Sequence, residues 1–304
     1  MNGELRVYLN LSLLEIAPVL LAANGIYKGK TRVEHGGVMS LWGKANDLPS
    51  LDARGMSHVS GNSETQVLRS SYANPDLRII LTLAECPYRL IARRSAGVSQ
   101  LIDFEGKRVG VMPNSSAAYF VDRMLRSVGL SQTSVTAVPF MAKTQAPLSL
   151  MPHALASGEV DAVAVWEPYA QACKLAAGDD TIEFCDSALY RECFNLCTRA
   201  ANLQDPALRP LIVDFVRAVL AATRELKRGS DRAQALVARY SERDVNIVKN
   251  AWPYLAFPAA IPDDLVDVLL PAEVWVARET DRAPRGREAL AALIDRSVLR
   301  EAQA

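Results

Sequence analysis

Apolar and polar residues alternate over positions 4–10, with Leu5, Val7 and Leu9 set against Arg6, Tyr8 and Asn10, and this period of two predicts a β-strand. The next stretch changes period. Ile16, Val19, Leu20 and Ala23 recur at helical spacing, Ser12 and Glu15 stand at the separation of a capping box, and Asn24-Gly25 supplies a stop, so a helix is expected there. Residues 31–35 read as a short strand entering Gly36-Gly37, and 40–61 as an irregular polar stretch punctuated by Gly and Pro. A helix opens at Ser63 and runs to Tyr72, Pro75 breaks it, and 77–81 reads as a buried strand.

Beyond Pro87, strands at 90–92, 108–111, 134–139 and 162–165 alternate with helices at 115–128, 148–157 and 168–176. Such alternation implies βαβ units, an α/β fold and mostly parallel sheets. After a strand at 194–198 the chain changes character: 206–227, 230–240, 243–252 and 264–277 read as helices, with a last one from 284 to about 294.

Composition narrows the function classes. Half of the 304 residues are hydrophobic and 22% are charged, enough for a sizeable core and far from the profile of a disordered chain. Lys plus Arg equals Asp plus Glu at 34 each, so the basic field that recruits nucleic acid or anionic lipid is missing, and neither partner is expected. The apolar stretch near the start, 16–23, falls short of the ~20 residues of a spanning helix, so no membrane insertion is expected. Met1-Asn2-Gly3-Glu4-Leu5-Arg6 lacks the pattern of a secretory leader; the expected location is periplasmic if a leader has been removed and cytoplasmic if Met1 is the native start. Five cysteines (Cys86, Cys173, Cys185, Cys193, Cys197) form an odd set without metal-type spacing, which argues against a disulfide framework and a zinc site. With no phosphate loop, dinucleotide fingerprint or His-Glu metal motif, no cofactor and no metal are expected.

Three stretches carry a resemblance. The first runs Ile102-Asp103-Phe104-Glu105-Gly106-Lys107-Arg108-Val109-Gly110-Val111 into Pro113-Asn114-Ser115-Ser116 and a helix with Tyr119, Phe120 and Leu125. The second is Ala154-Leu155-Ala156-Ser157-Gly158-Glu159-Val160-Asp161-Ala162, running into Val165-Trp166-Glu167-Pro168-Tyr169-Ala170. The third is the opening strand and helix with Ala17-Pro18, Ala22 and Gly25-Ile26-Tyr27. Together, over roughly residues 4–200, they resemble the sulfonate, taurine, nitrate and thiamine-pyrimidine-precursor binding proteins of ABC importers, the type II periplasmic binding fold. The resemblance implies two lobes that close on a ligand like a venus flytrap, one from 1–88 plus 195–304 and one from 89–194, with a hinge near Cys86-Pro87 and Cys193-Phe194-Asn195. It further implies a small organic ligand (a sulfonate, carboxylate, pyrimidine or amine), an ABC permease as partner, and a monomer.

Physical chemistry says why such residues recur. Pro113-Asn114-Ser115-Ser116 follows a strand and opens a helix, where first-turn N–H groups and the helix dipole can hold a ligand oxygen; Asn114 or Ser115 can equally cap that helix. Asn62-Ser63-Glu64 is a second corner of the same kind. Trp166-Glu167-Pro168 follows a buried strand, at the edge where ligands of open α/β sheets collect, and the indole can stack on a ligand while Glu167 accepts from it. The resemblance adds the first loop, Leu11-Ser12-Leu13-Leu14-Glu15. The candidate ligand contacts are therefore Ser12, Leu13, Glu15, Asn62, Ser63, Glu64, Glu85, Asn114, Ser115, Ser116, Trp166 and Glu167. Four acids in one cavity, Glu15, Glu64, Glu85 and Glu167, would disfavour a dianion and suggest an amine, a heteroaromatic amidine-like edge or a sugar-like polyol.

Enzymes share this scaffold, so catalysis is the alternative: a cytoplasmic lyase, decarboxylase or desulfinase, or a ligand sensor. A nucleophilic Cys would belong in the first loop, and residues 11–15 contain none. His35, His58 and Glu15 form a conceivable acid–base set, and Cys193 with Cys197, four apart on one strand face, a conceivable redox pair; structural roles compete with both.

Overall fold

The structure, a computed structural model, describes residues 3–43, 55–141 and 148–304. The chain forms two compact units, Met1–Glu85 with Cys193–Ala304 and Cys86–Glu192, and passes between them at two points.

The first unit is built on a five-stranded sheet of order β2-β1-β3-β10-β4, where β1 is Leu5–Leu9, β2 Thr31–His35, β3 Val59–Ser63, β4 Leu77–Cys86 and β10 Glu192–Arg199. β1 pairs parallel with β2 and β3, and β10 pairs antiparallel with β3. β1 buries Tyr8 as well as Val7 and Leu9, so a pattern that alternates in sequence is covered on both faces. Gly61 on β3 is required by close packing: a Cβ there would lie 2.4 Å from Leu9 Cδ2 and 2.9 Å from Phe194 Cε1. Helices α1 (Ala17–Leu21), α2 (Glu64–Ala73), α6 (Ala200–Gln204), α7 (Leu208–Arg228), α8 (Asp231–Ser241), α9 (Val245–Ala251), α10 (Leu265–Glu279), α11 (Arg287–Ala291) and α12 (Ser297–Gln303) complete the unit. α7 buries Leu211, Phe215, Val219, Ala222 and Leu226, a stripe at three- and four-residue spacing, and packs against α1 and α12.

A buried carboxylate joins α2 to α10. Glu273, with no exposed side-chain surface, accepts from Arg282 Nη1 (2.6 Å) and from the Nε (3.0 Å) and backbone N–H (2.9 Å) of Arg285. Arg285 continues to α2, where it donates to Leu68 O (2.9 Å) and Ser71 Oγ (3.1 Å).

The second unit carries the sheet β7-β6-β8-β5-β9, with β5 Arg89–Arg93, β6 Arg108–Val111, β7 Thr136–Pro139, β8 Ala162–Val165 and β9 Thr181–Phe184. β6 pairs parallel with β7 and β8, and β5 antiparallel with β8 and β9, so the sheet is mixed. α3 (Ser116–Arg126), α4 (Met151–Ser157) and α5 (Tyr169–Ala177) connect these strands. Much of the second resemblance stretch is structural: Gly158 takes φ +79° to end α4, and Asp161 receives the backbone N–H (2.8 Å) and Nη2 (2.7 Å) of Arg108, clamping β8 to β6.

Three expectations are corrected. Ser12 and Glu15 do not cap α1, which starts at Ala17; Ser12 Oγ donates to Asn10 Oδ1 (2.7 Å) instead. Pro18 explains the shift, since a residue without an N–H fits the first turn and not the second. The last predicted helix, 284–294, is confined to α11 and is followed by α12, which was not predicted; the chain breaks between them where Ile79 N donates to Leu293 O (2.7 Å), Asp295 N donates to Ile79 O (2.9 Å), and Asp295 then receives Ser297 N (2.7 Å). β9 escaped the sequence reading altogether. Of the predicted irregular stretch 40–61, residues 59–61 instead belong to strand β3, paired between β1 and β10, and 44–54 lies outside the described residues.

Candidate functional site

In the second unit, two of the turns predicted to bind ligand leave the C-terminal ends of parallel strands. Val111 ends β6, and Asn114 adopts a left-handed conformation (φ +57°) that turns the chain into α3. Ser115 is the N-cap: its Oγ accepts from Ala118 N (3.3 Å) and donates to Met112 O (2.6 Å). Capping consumes one first-turn donor; the N–H groups of Ser116 and Ala117 have no acceptor within the helix. Ser116 Oγ sits 2.9 Å from the Tyr88 hydroxyl, so its side chain is engaged within the protein.

Val165 ends β8, and Trp166 follows it, 9% exposed, with an indole N–H that is buried and has no hydrogen-bond partner. A buried donor left unmade is costly, which makes this the most distinctive polar atom of the turn. Glu167 behaves differently from the expectation. Its Oε1 takes Nε (2.7 Å) and Nη2 of Arg89, a side chain with no exposed surface, and its Oε2 accepts from Gln171 N (3.1 Å). Burial pushes the Glu167 carboxyl up, against the pull of Arg89. Arg89 also donates to Glu183 (3.0 Å), itself paired with Lys174 (3.0 Å), so two acids face two cations.

Nearby, Tyr88 donates to Glu192 Oε1 (2.6 Å), and its ring packs edge-on against Phe120 (6.0 Å) and Tyr190 (5.3 Å). Tyr88, Arg89 and Glu192 were absent from the sequence-predicted set. The signal for Arg89 was present: a charge beside the apolar Leu90-Ile91-Ala92 strand needs a buried counter-charge.

In the first unit, Asn62, Ser63 and Glu64 form the β3–α2 corner, where Asn62 Oδ1 accepts from Ser63 N (3.0 Å) and Ser63 Oγ lies 3.2 Å from Thr65 Oγ1. Glu64 is fully buried and accepts from Cys193 N (3.1 Å). Glu15 is fully buried and Leu13 nearly so, while Ser12 and Glu85 are half-buried. Glu85 pairs its backbone with Ala256.

His58 and His35 serve the backbone. His58 Nδ1 accepts from Arg6 N (3.2 Å), and burial with the nearby Arg6 charge lowers its pKa to about 4; His35 Nδ1 accepts from Leu11 N (3.4 Å). Cys193 and Cys197 stand ~13 Å apart along β10, too far for a disulfide, and burial pushes the Cys197 thiol up. Among the described residues no group of three or more His, Cys, Asp or Glu could hold a metal ion, and no helix is long and apolar enough to cross a membrane.

The profile of the NMT1/THI5-like family matches residues 43–233, well over half of the chain. The chain belongs to the NMT1/THI5-like family. No curated protein sequence matches it significantly. Its fold is shared by alkanesulfonate-binding proteins. SsuA from Xanthomonas axonopodis pv. citri, solved with bound MOPS, is 17% identical with a TM-score of 0.73, over 96% of this chain and 98% of that one. The periplasmic SsuA of Escherichia coli is 16% identical with a TM-score of 0.70, over 92% and 88%. The desulfurization enzyme DSZB is 13% identical with a TM-score of 0.66, over 99% of each chain. At these identities the likeness establishes the periplasmic-binding-protein fold expected from the three sequence stretches. Within this NMT1/THI5-like chain, the loop after β1 holds Leu11-Ser12-Leu13-Leu14-Glu15 and offers no thiol.

Proposed function

We propose that this NMT1/THI5-like protein captures a small organic solute reversibly and delivers it to an ABC permease. The observation that carries the reading is the unpartnered, buried indole N–H of Trp166 at the C-terminal end of β8, in the same unit as the first-turn amides of α3. These groups donate and do not accept. They favour a solute carrying acceptor oxygens, such as a sulfonate or carboxylate, or the ring nitrogens of a pyrimidine. The acids once expected to repel a dianion do so less in this unit, because Glu167 is neutralised by Arg89. The protein named SsuA and solved with MOPS supports a sulfonate as the first compound class to try, and the periplasmic setting of its counterpart in Escherichia coli supports a periplasmic location.

Calorimetric titration with MOPS, short alkanesulfonates, carboxylates, aminopyrimidines and amines tests the reading. One class should bind the wild type, and Trp166→Phe, which keeps an aromatic ring in this buried position and removes the indole N–H, should weaken that binding by about 1–3 kcal/mol. Equal affinity in the variant would remove Trp166 from the site. Turnover of the bound compound would replace capture by catalysis.

A further inference from the structure

Two consecutive side chains entering β5 hold the two candidate turns of the second unit, one each. The Tyr88 hydroxyl lies 2.9 Å from Ser116 Oγ at the start of α3 and donates to Glu192 Oε1 at 2.6 Å. Arg89 puts Nε and Nη2 on the carboxylate of Glu167, the residue after Trp166, and reaches Gln171 Oε1 at 3.1 Å. Successive residues of an extended segment project to opposite faces, so one step along the chain addresses the β6–α3 turn on one side and the β8–α5 turn on the other. Both anchors are stiff. A guanidinium gripping one buried carboxylate side-on cannot shift without leaving a charge unpaired, and the Tyr88 ring is wedged between Phe120 and Tyr190.

We propose that Tyr88 and Arg89 are positioning residues that, through Ser116 and Glu167, fix the start of α3 and the Trp166 indole relative to each other without touching the solute. For its bearing on binding the proposal rests on the solute-capture reading; the geometric claim stands apart from it. Supporting residues of this kind decide whether a site is held within the tolerance that binding needs.

The test uses the full chain labelled with 5-fluorotryptophan, the Trp166 resonance being assigned with Trp166→Phe, together with amide hydrogen exchange. Arg89→Met combined with Glu167→Gln removes the clamp without stranding a buried charge, so the fold is spared. This double variant should shift the Trp166 resonance and speed exchange at residues 166–171 by about tenfold while leaving 115–119 as in wild type. Tyr88→Phe should do the reverse. MOPS titrated in parallel should bind each variant about tenfold more weakly than wild type. If the wild type does not take MOPS, the solute class is wrong and the resonance and exchange data alone decide the positioning. Wild-type signals in both variants, or equal loosening of both turns in either one, would overturn it.

Discussion

Replacing Glu273 by Gln should destabilise the first unit in a pH-dependent way. Two arginines converge on this carboxylate, and one of them, Arg285, also holds Leu68 and Ser71 of α2, the helix that begins at the Asn62-Ser63-Glu64 corner. Burial alone would raise the pKa of Glu273, but the hydrogen bonds from Arg282 and Arg285 bring it down to about 2 from 4.5. At about 1.4 kcal/mol per unit, that gap is worth on the order of 3 kcal/mol. A depressed folded-state pKa gives stability that is fully present above about 4.5 and is lost as pH falls toward about 2. Glu273→Gln should therefore cost about 3 kcal/mol at neutral pH and, from the charge term, about 1.4 kcal/mol at roughly pH 3. Urea unfolding followed by circular dichroism, fitted with one transition for each unit, measures the difference. A wild-type-minus-variant difference that stays constant over this range would refute the reasoning, because a lost shape contact does not titrate.

Two further outcomes follow from packing and electrostatics. Gly61→Ala places a methyl 2.4 Å from Leu9 Cδ2 and should lower stability by about 1–3 kcal/mol in the same urea assay; a neutral effect would mean that β1 and β10 yield more readily than their burial implies. His58 should remain neutral until about pH 4, adding stability that is present above about 6.5 and lost as pH falls through about 4; an NMR titration midpoint near 6.5 would contradict its burial.

Local patterns in the chain disclose most of the strands and helices, and the reasons are local. Alternation in β1, the all-apolar β8 and the Gly158 stop of α4 express their structure within a few residues. The failures are tertiary. α12 is separated from α11 by a bridge to Ile79, more than two hundred residues away, and nothing in residues 284–294 announces it. The candidate site divides in the same manner. The α3 start and Trp166 stand out as candidates because each lies just after a strand, whereas Glu167 could be read as a ligand acceptor only while its partner Arg89, 78 residues earlier, was unknown. The acids that looked alike in sequence separate in the structure, Glu167 into an ion pair and Glu64 onto a backbone amide.

Solute capture is tested most directly by incubating purified protein with the mixed panel of sulfonates, carboxylates, pyrimidines and amines, removing free compounds, denaturing the protein and weighing what is released by mass spectrometry. One compound should be retained, unchanged in mass, at no more than one equivalent per chain, and its yield should fall with Trp166→Phe. A compound released at a new mass in amounts exceeding the protein would contradict solute capture and make this scaffold an enzyme.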